Sequence, residues 1–197
     1  MDTSKKIYEI INYIVSCFKD NPSKLGKVKL AKILWFADRE FMYKYHSELT
    51  GLEYQKLPFG PVPKKYDQIL NDMQKKSYIF IDEIFKDDTK QILFTSLKKP
   101  CLDDFSAKEV EILDKTIFSF KDKKASCLSK ITHDDLYNSV QIGDIMPVES
   151  VFWQDIETPN ADDIKWAIQS LKDKGIKKRY YVANAQEFIS KHCYDEV

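Results

Sequence analysis

A chain of 197 residues, 43% hydrophobic and 31% charged, has the composition of one good-sized globular domain rather than a disordered or membrane-embedded segment. Its 31 basic and 31 acidic side chains cancel, which is unlike a dedicated nucleic-acid binder. The positive excess lies in the first hundred residues and the negative excess in the remainder, a distribution suited to oppositely charged patches on a protein partner.

The cysteines, Cys17, Cys101, Cys127 and Cys193, form no CxxC pair and have no histidine at metal-ligand spacing, so free thiols in a reduced cytosol are expected and no metal or cofactor is called for. The N-terminus lacks a secretory hydrophobic region, and no apolar run approaches the roughly 20 residues a membrane span requires. A cytoplasmic location without membrane contact is the expectation.

Ile7, Tyr8, Ile11, Ile14, Val15 and Phe18 recur at helical spacing and predict an amphipathic first helix over residues 3 to 20, ended by Asp20-Asn21-Pro22. The next helix carries the strongest signal in the chain. Leu30, Ile33, Leu34, Ala37 and Phe41 lay one stripe along it, and Trp35, Phe36, Met42 and Tyr43 lie off that stripe, which predicts a central helix contacted on more than one side. After Thr50-Gly51 the chain reads as extended from Leu52 to Leu57, and Pro58, Pro61 and Pro63 predict a stiff corner. Pro63 suits the first turn of a third helix bearing Tyr66, Ile69, Leu70 and Met73. Strands over 78–85 and 91–96 flank a polar loop.

Ser106 and Glu109 form a Ser-x-x-Glu capping box ahead of Val110, Leu113, Ile117 and Phe120. A shorter helix over 123–130 ends near His133, residues 134–140 add a turn or two, and 143–148 reads as a loop. Thr158-Pro159-Asn160 opens a last clear helix, stopped at Gly175, before a tail with Tyr180-Tyr181-Val182 and a short helix over 185–191. No repeat or low-complexity linker interrupts the chain, which favours a single compact domain.

The run KLAKILWFAD, then Thr50-Gly51, Tyr54, Phe59-Gly60-Pro61-Val62-Pro63 and Tyr66, followed by Ser106, Glu109, Leu113, Leu128 and Thr132-His133, resembles the Panacea, or SocA-like, domain over roughly residues 5 to 155. That family is associated with antitoxins of bacterial and phage toxin-antitoxin systems. The family usually has a tryptophan a few residues after the histidine, where this chain has Tyr137. The resemblance fades from Asp155, so a family domain over 1–155 and a C-terminal helical extension over 156–197 packed on it are expected.

Asp38 and Arg39 follow the apolar core of the central helix. Asp38 is placed to face the Phe59-Gly60-Pro61 corner, although a structural ion pair is the plainer reading. His133 suits capping of a helix end better than chemistry. No GxSxG elbow or protease-like Cys/His setting occurs, and five glycines build no phosphate loop, so no catalytic residue is assigned. Lys24, Lys27, Lys29 and Lys32, with Lys64, Lys65, Lys75 and Lys76, are the basic residues a winged-helix DNA reader would use. Asp67 and Asp72 on the same third helix, and arginine only at 39 and 179, favour solvated helix faces instead.

The fold expected is α+β and mainly helical, a winged-helix-like N-terminal half with a β-hairpin followed by a helical C-terminal half. The residues alone indicate a binding protein. The resemblance implies an antitoxin that neutralises a toxin encoded nearby by direct contact, or an adaptor that passes it to a cellular protease. Trp35, Asp38, Arg39, Tyr54, Phe59 and His133 are the partner-binding candidates, since Trp and Tyr are enriched in interface hot spots. A DNA-binding regulator and an uncharacterised hydrolase are the alternative classes.

Overall fold

Helix α2, Lys27–Tyr45, is enclosed on nearly all sides. Leu30, Ala31, Ile33, Leu34, Trp35, Ala37, Phe41 and Met42 are buried, as are the polar Lys29, Lys32, Asp38 and Arg39. The computed structural model describes residues 3–86, 89–155 and 161–173. The expected stripe forms the core face, and the off-stripe Trp35 and Met42 meet other elements, so contact on more than one side is observed. The lysines at 29 and 32 do not form the solvated face expected of them. Both have lost almost all contact with water.

Helix α1, Thr3–Ser16, buries Ile7, Ile10, Ile11 and Ile14, and a 3₁₀ turn over Pro22–Lys24 leads into α2, whose N-cap is Gly26. The largest correction follows α2. Residues 58–63 are not a mere corner, because β1, Tyr54–Leu57, and β2, Gly60–Pro63, pair as a tight antiparallel hairpin across Pro58-Phe59, with Leu57 opposite Gly60 and Tyr54 opposite Pro63. The prolines are tolerated because β2 is the edge of its sheet. On the inner side Val62 faces Gln55, and Lys64 N–H continues the ladder to Glu53 O at 2.8 Å. Pro63 therefore ends a strand instead of opening a helix. Helix α3, Tyr66–Lys75, starts after Lys65 in the left-handed region and buries Tyr66, Leu70 and Met73.

Strands β3, Ile79–Lys86, and β4, Thr89–Ser96, make the second hairpin, close to the expected bounds. Helix α4, Ala107–Phe120, has the expected capping box: Glu109 N–H donates to Ser106 Oγ at 3.3 Å, and Ser106 N–H to Glu109 Oε2 at 2.7 Å. Short helices α5, Ala125–Ile131, and α6, Asp135–Ser139, follow. Residues 143–148 are not all loop. Ile145–Met146 forms β5, which pairs with β1 and gives the sheet order β2-β1-β5. A 3₁₀ segment over Val148–Asp155 then returns against α2.

The chain divides into two compact units, residues 1–155 and 156–197. In the second, α7 spans Ala161–Asp173, as the periodicity predicts. The expectations for Gly175, 180–182 and 185–191 fall outside the described residues. The architecture is mixed α and β, mostly helical, with small antiparallel sheets. Among the described residues no helix is long and apolar enough to cross a membrane.

The capping box is the cleanest local test of this architecture. Replacing Ser106 with Ala should lower unfolding stability by about 1 kcal/mol, read as a shift in urea midpoint with an unchanged slope. An unmoved midpoint would show that α4 is held by packing alone.

Candidate functional site

Two charged groups on α2 reach the β1–β2 hairpin from inside. Asp38, 3% exposed, accepts from Thr50 N–H at 2.9 Å, Thr50 Oγ1 at 2.6 Å and Tyr54 OH at 2.5 Å. Its partners are thus the turn before β1 and the first residue of β1, not the Phe59-Gly60-Pro61 corner expected for it. Burial pushes the carboxyl up to about 6, although its three donors and their hydrogen bonds pull the other way. Burial, together with the adjacent Asp38 carboxylate, holds the Tyr54 phenol well above its usual range, so it remains a donor. Trp35 packs edge-on to the Tyr54 ring, with centroids 4.9 Å apart. A cavity of about 240 Å³ touches this cluster and has Glu48, Glu53 and Glu149 at its wall.

Lys32 serves the other strand. Fully buried, its Nζ donates to Pro61 O at 3.1 Å, and burial lowers the ammonium to about 7. Gly60 lies between this ammonium and the Thr132 hydroxyl. Its φ of +101° favours glycine, and a Cβ there would overlap both Lys32 Nζ and Thr132 Oγ1. Tyr137 holds the turn from the far side, its OH donating to Leu57 O at 3.1 Å and Pro58 O at 3.2 Å. Lys56 of β1 donates to Tyr137 O at 2.6 Å and Val140 O at 2.7 Å, with its Nζ 4.0 Å from the centre of the Tyr137 ring.

The hairpin tip so held presents Phe59 to solvent, 66% exposed. Beside it runs a groove of about 360 Å³ whose apolar wall comes from Val28, Ala31, Pro58, Val62 and Pro63. The rim carries the Lys27–Asp67 ion pair.

The structure therefore separates the sequence-predicted residues. Trp35, Asp38 and Tyr54 form one enclosed cluster, and Phe59 and His133 lie at the surface. Arg39 is buried apart from Asp38. Its Nη1 donates to Ser150 Oγ at 2.8 Å and its guanidinium lies 5.0 Å from the Trp35 ring centre, so no ion pair links the adjacent residues. The His133 imidazole stacks on Tyr137 with centroids 4.0 Å apart, whereas the cap of α5 is made by Thr132, whose backbone N–H donates to Leu128 O. Lys32, Lys56 and Thr132 went unrecognised as part of this arrangement. Only the Phe59-Gly60-Pro61 motif pointed toward it. Among the described residues, no group of three or more His, Cys, Asp or Glu could hold a metal ion.

A family model described as "Antitoxin SocA-like, Panacea domain" matches residues 30–136, a narrower span than the 5–155 expected. It begins on α2 and ends within α6, and so contains both hairpins, Lys32, Asp38 and Thr132, and stops one residue short of Tyr137. No curated protein and no solved structure matches the chain.

Two measurements test the geometry. The Asp38 carboxyl binds its proton more tightly in the folded chain (about 6 against an ordinary 3.8), so its ionisation should cost stability as pH rises from ~4 to ~6. Lys32 is the reverse: at about 7 against 10.5, its loss of a proton in the folded state should restore stability as pH rises above ~7. Urea midpoints should pass through a minimum near neutrality, with the acid limb flattened in Asp38→Asn and the alkaline limb in Lys32→Met. Limbs unchanged by these substitutions would remove the assignment. Separately, Gly60→Ala should cost at least ~2 kcal/mol, and a neutral result would mean the turn is not held as described.

Proposed function

The chain belongs to the SocA-like Panacea family, and from that premise we propose that it is a cytoplasmic antitoxin that grips a partner toxin by direct contact through the Phe59 hairpin. The observation that supports this most is a large aromatic side chain exposed on a turn held from within by Lys32 and from α6 by Tyr137, beside an apolar groove. Aromatic anchors next to apolar pockets carry much of the energy in protein interfaces, and a turn already held in place spends less conformational entropy on binding. Asp38, Trp35 and Tyr54 would then act by positioning β1, with contact left to Phe59 and its surroundings.

The proposal extends to several finer points. The partner is encoded nearby, and its fate is either neutralisation in the complex or delivery to a protease. The chain is not an enzyme, a reading supported by the enclosure of Asp38 between Thr50 and Tyr54 and by the stacking of His133 on Tyr137. Residues 1–155 form the family domain, and 156–197 a helical extension that contributes partner specificity. The order α1, α2, first hairpin, α3, second hairpin is compatible with a winged-helix-like N-terminal half. A DNA-reading role for α3 has less support, since Asp67 there is paired with Lys27.

Co-expression with the adjacent open reading frame tests the reading. The wild-type chain should protect cells and co-purify with its neighbour, and Phe59→Asp should weaken the complex by about 2 kcal/mol or more, roughly thirtyfold, while leaving the melting curve unchanged. A half-life of the neighbour that shortens only when a protease is present would identify delivery. In the same assay a chain ended at Asp155 should fold but protect poorly. A harmless neighbour, or toxicity that persists with no complex formed, sinks the proposal.

A further inference from the structure

A second groove, of about 650 Å³, opens at the amino end of α2, between the start of β4 and the link from α4 to α5. Lysines line it from all three directions. Lys24, Lys27 and Lys29 come from the start of α2 and the turn before it, and Lys90 from β4. Lys121, Lys123 and Lys124 come from the α4–α5 link, and among the described residues Asp122 is the single acidic residue in the lining.

The positive charges are only loosely committed. Lys24 pairs with Asp122 at 2.6 Å, Lys90 with Glu83 at 2.7 Å, and Lys27 with Asp67, and all three pairs are open to solvent. Exposed pairs of this kind hold together weakly, so an incoming carboxylate can replace the resident one. Lys121, Lys123 and Lys124 are exposed and enter no ion pair among the described residues. Lys29 is different: its Nζ donates to Lys121 O at 2.6 Å and ties the floor of the groove to the link. The N-cap of α2 is Gly26, which offers no side chain to the free amide groups of the first turn, so the positive end of a nineteen-residue helix adds to the field.

We propose that this groove docks an acidic, extended segment of a protein partner, whose Asp and Glu carboxylates take Lys24, Lys27 and Lys90 from their present partners and meet Lys121, Lys123 and Lys124 directly. The inference rests on the reading of the chain as a protein that grips another protein, and it names the chemistry of the surface gripped. A peptide is favoured over nucleic acid by the lining itself. Among the described lining residues there is no aromatic ring and no arginine to stack on or read a base, whereas Val28, Ile92 and Ala125 supply an apolar floor for glutamate methylenes. The chain's zero net charge also disfavours a long polyanion, whose phosphates extend beyond the basic patch.

The test is fluorescence anisotropy on the full chain, with a short labelled poly-glutamate peptide and a labelled duplex DNA as separate probes. The peptide should bind at ~50 mM salt and weaken toward ~200 mM. Lys123→Glu with Lys124→Glu should lower its affinity at least ~tenfold, and the double Gln variant by a smaller factor, since only the former adds repulsion. Both variants should keep the wild-type melting curve, and Phe59→Asp should bind the peptide normally. No peptide binding by the wild type, affinity indifferent to the lysine substitutions, or duplex bound more tightly than peptide and lost in the same variants would each overturn the proposal. Because neither probe is the toxin, failure of the antitoxin reading in cells and failure of this groove are separate results.

Discussion

Charges buried along α2 hold the β1–β2 hairpin, and the rest of the molecule is arranged around that fact. Asp38 secures the entry to β1 through Thr50 and Tyr54, and Lys32 secures β2 through the Pro61 carbonyl. Sliding the hairpin by one residue would exchange its two faces, which apolar burial already opposes, and the buried charges add a second, directional constraint. Hydrogen bonds to a buried carboxylate do not tolerate such a slide. Tyr54 reaches Asp38 only from one face of β1, and a displaced strand would strand an anion in the core.

The cost of burying these charges is visible in their titration. Burial moves the carboxyl up and the ammonium down, so both groups are nearer to neutrality than their exposed counterparts. The two are not an ion pair, since each is satisfied by different partners on different strands. Asp38 has three donors and Lys32 a carbonyl, which divides the work: the acid fixes the base of the hairpin firmly, and the lysine adds a contact near the tip. Gly60 completes the tip by leaving room for the ammonium.

How much of this was legible depends on whether the cause was local. Helix α4 could be read from Ser106 and Glu109 because the capping box satisfies itself within four residues. The central helix could be read because one stripe of aliphatics repeats at helical spacing. The first hairpin was missed because Pro58, Pro61 and Pro63 argue against a strand unless it lies at an edge, and edge position is a tertiary property. β5 is two residues long and exists only through β1. The sequence alone points to a solvated Lys32, because lysine usually is solvated. Nothing adjacent in sequence announces that Pro61 and Thr132 close over it. His133 was noticed for its type, yet its neighbour Thr132 makes the cap and the ring next to it, Tyr137, holds the turn.

The lysines also explain why a count of charges says little about what this chain binds. Lys29, Lys32, Lys56 and Lys98 donate to main-chain oxygens of Lys121, Pro61, Tyr137 and Lys76 respectively. Each joins segments distant in sequence, and the buried Lys29 and Lys32 contribute little field at the surface. Part of the basic charge of the N-terminal half is thereby used in the fold. Lys24 and Lys27 remain outward at the amino end of α2, on the flank of the same helix whose buried charges hold the hairpin. One helix thus supplies rigidity to the turn that carries Phe59 and a positive edge beside it, and each follows from which of its lysines the fold encloses and which it leaves in water.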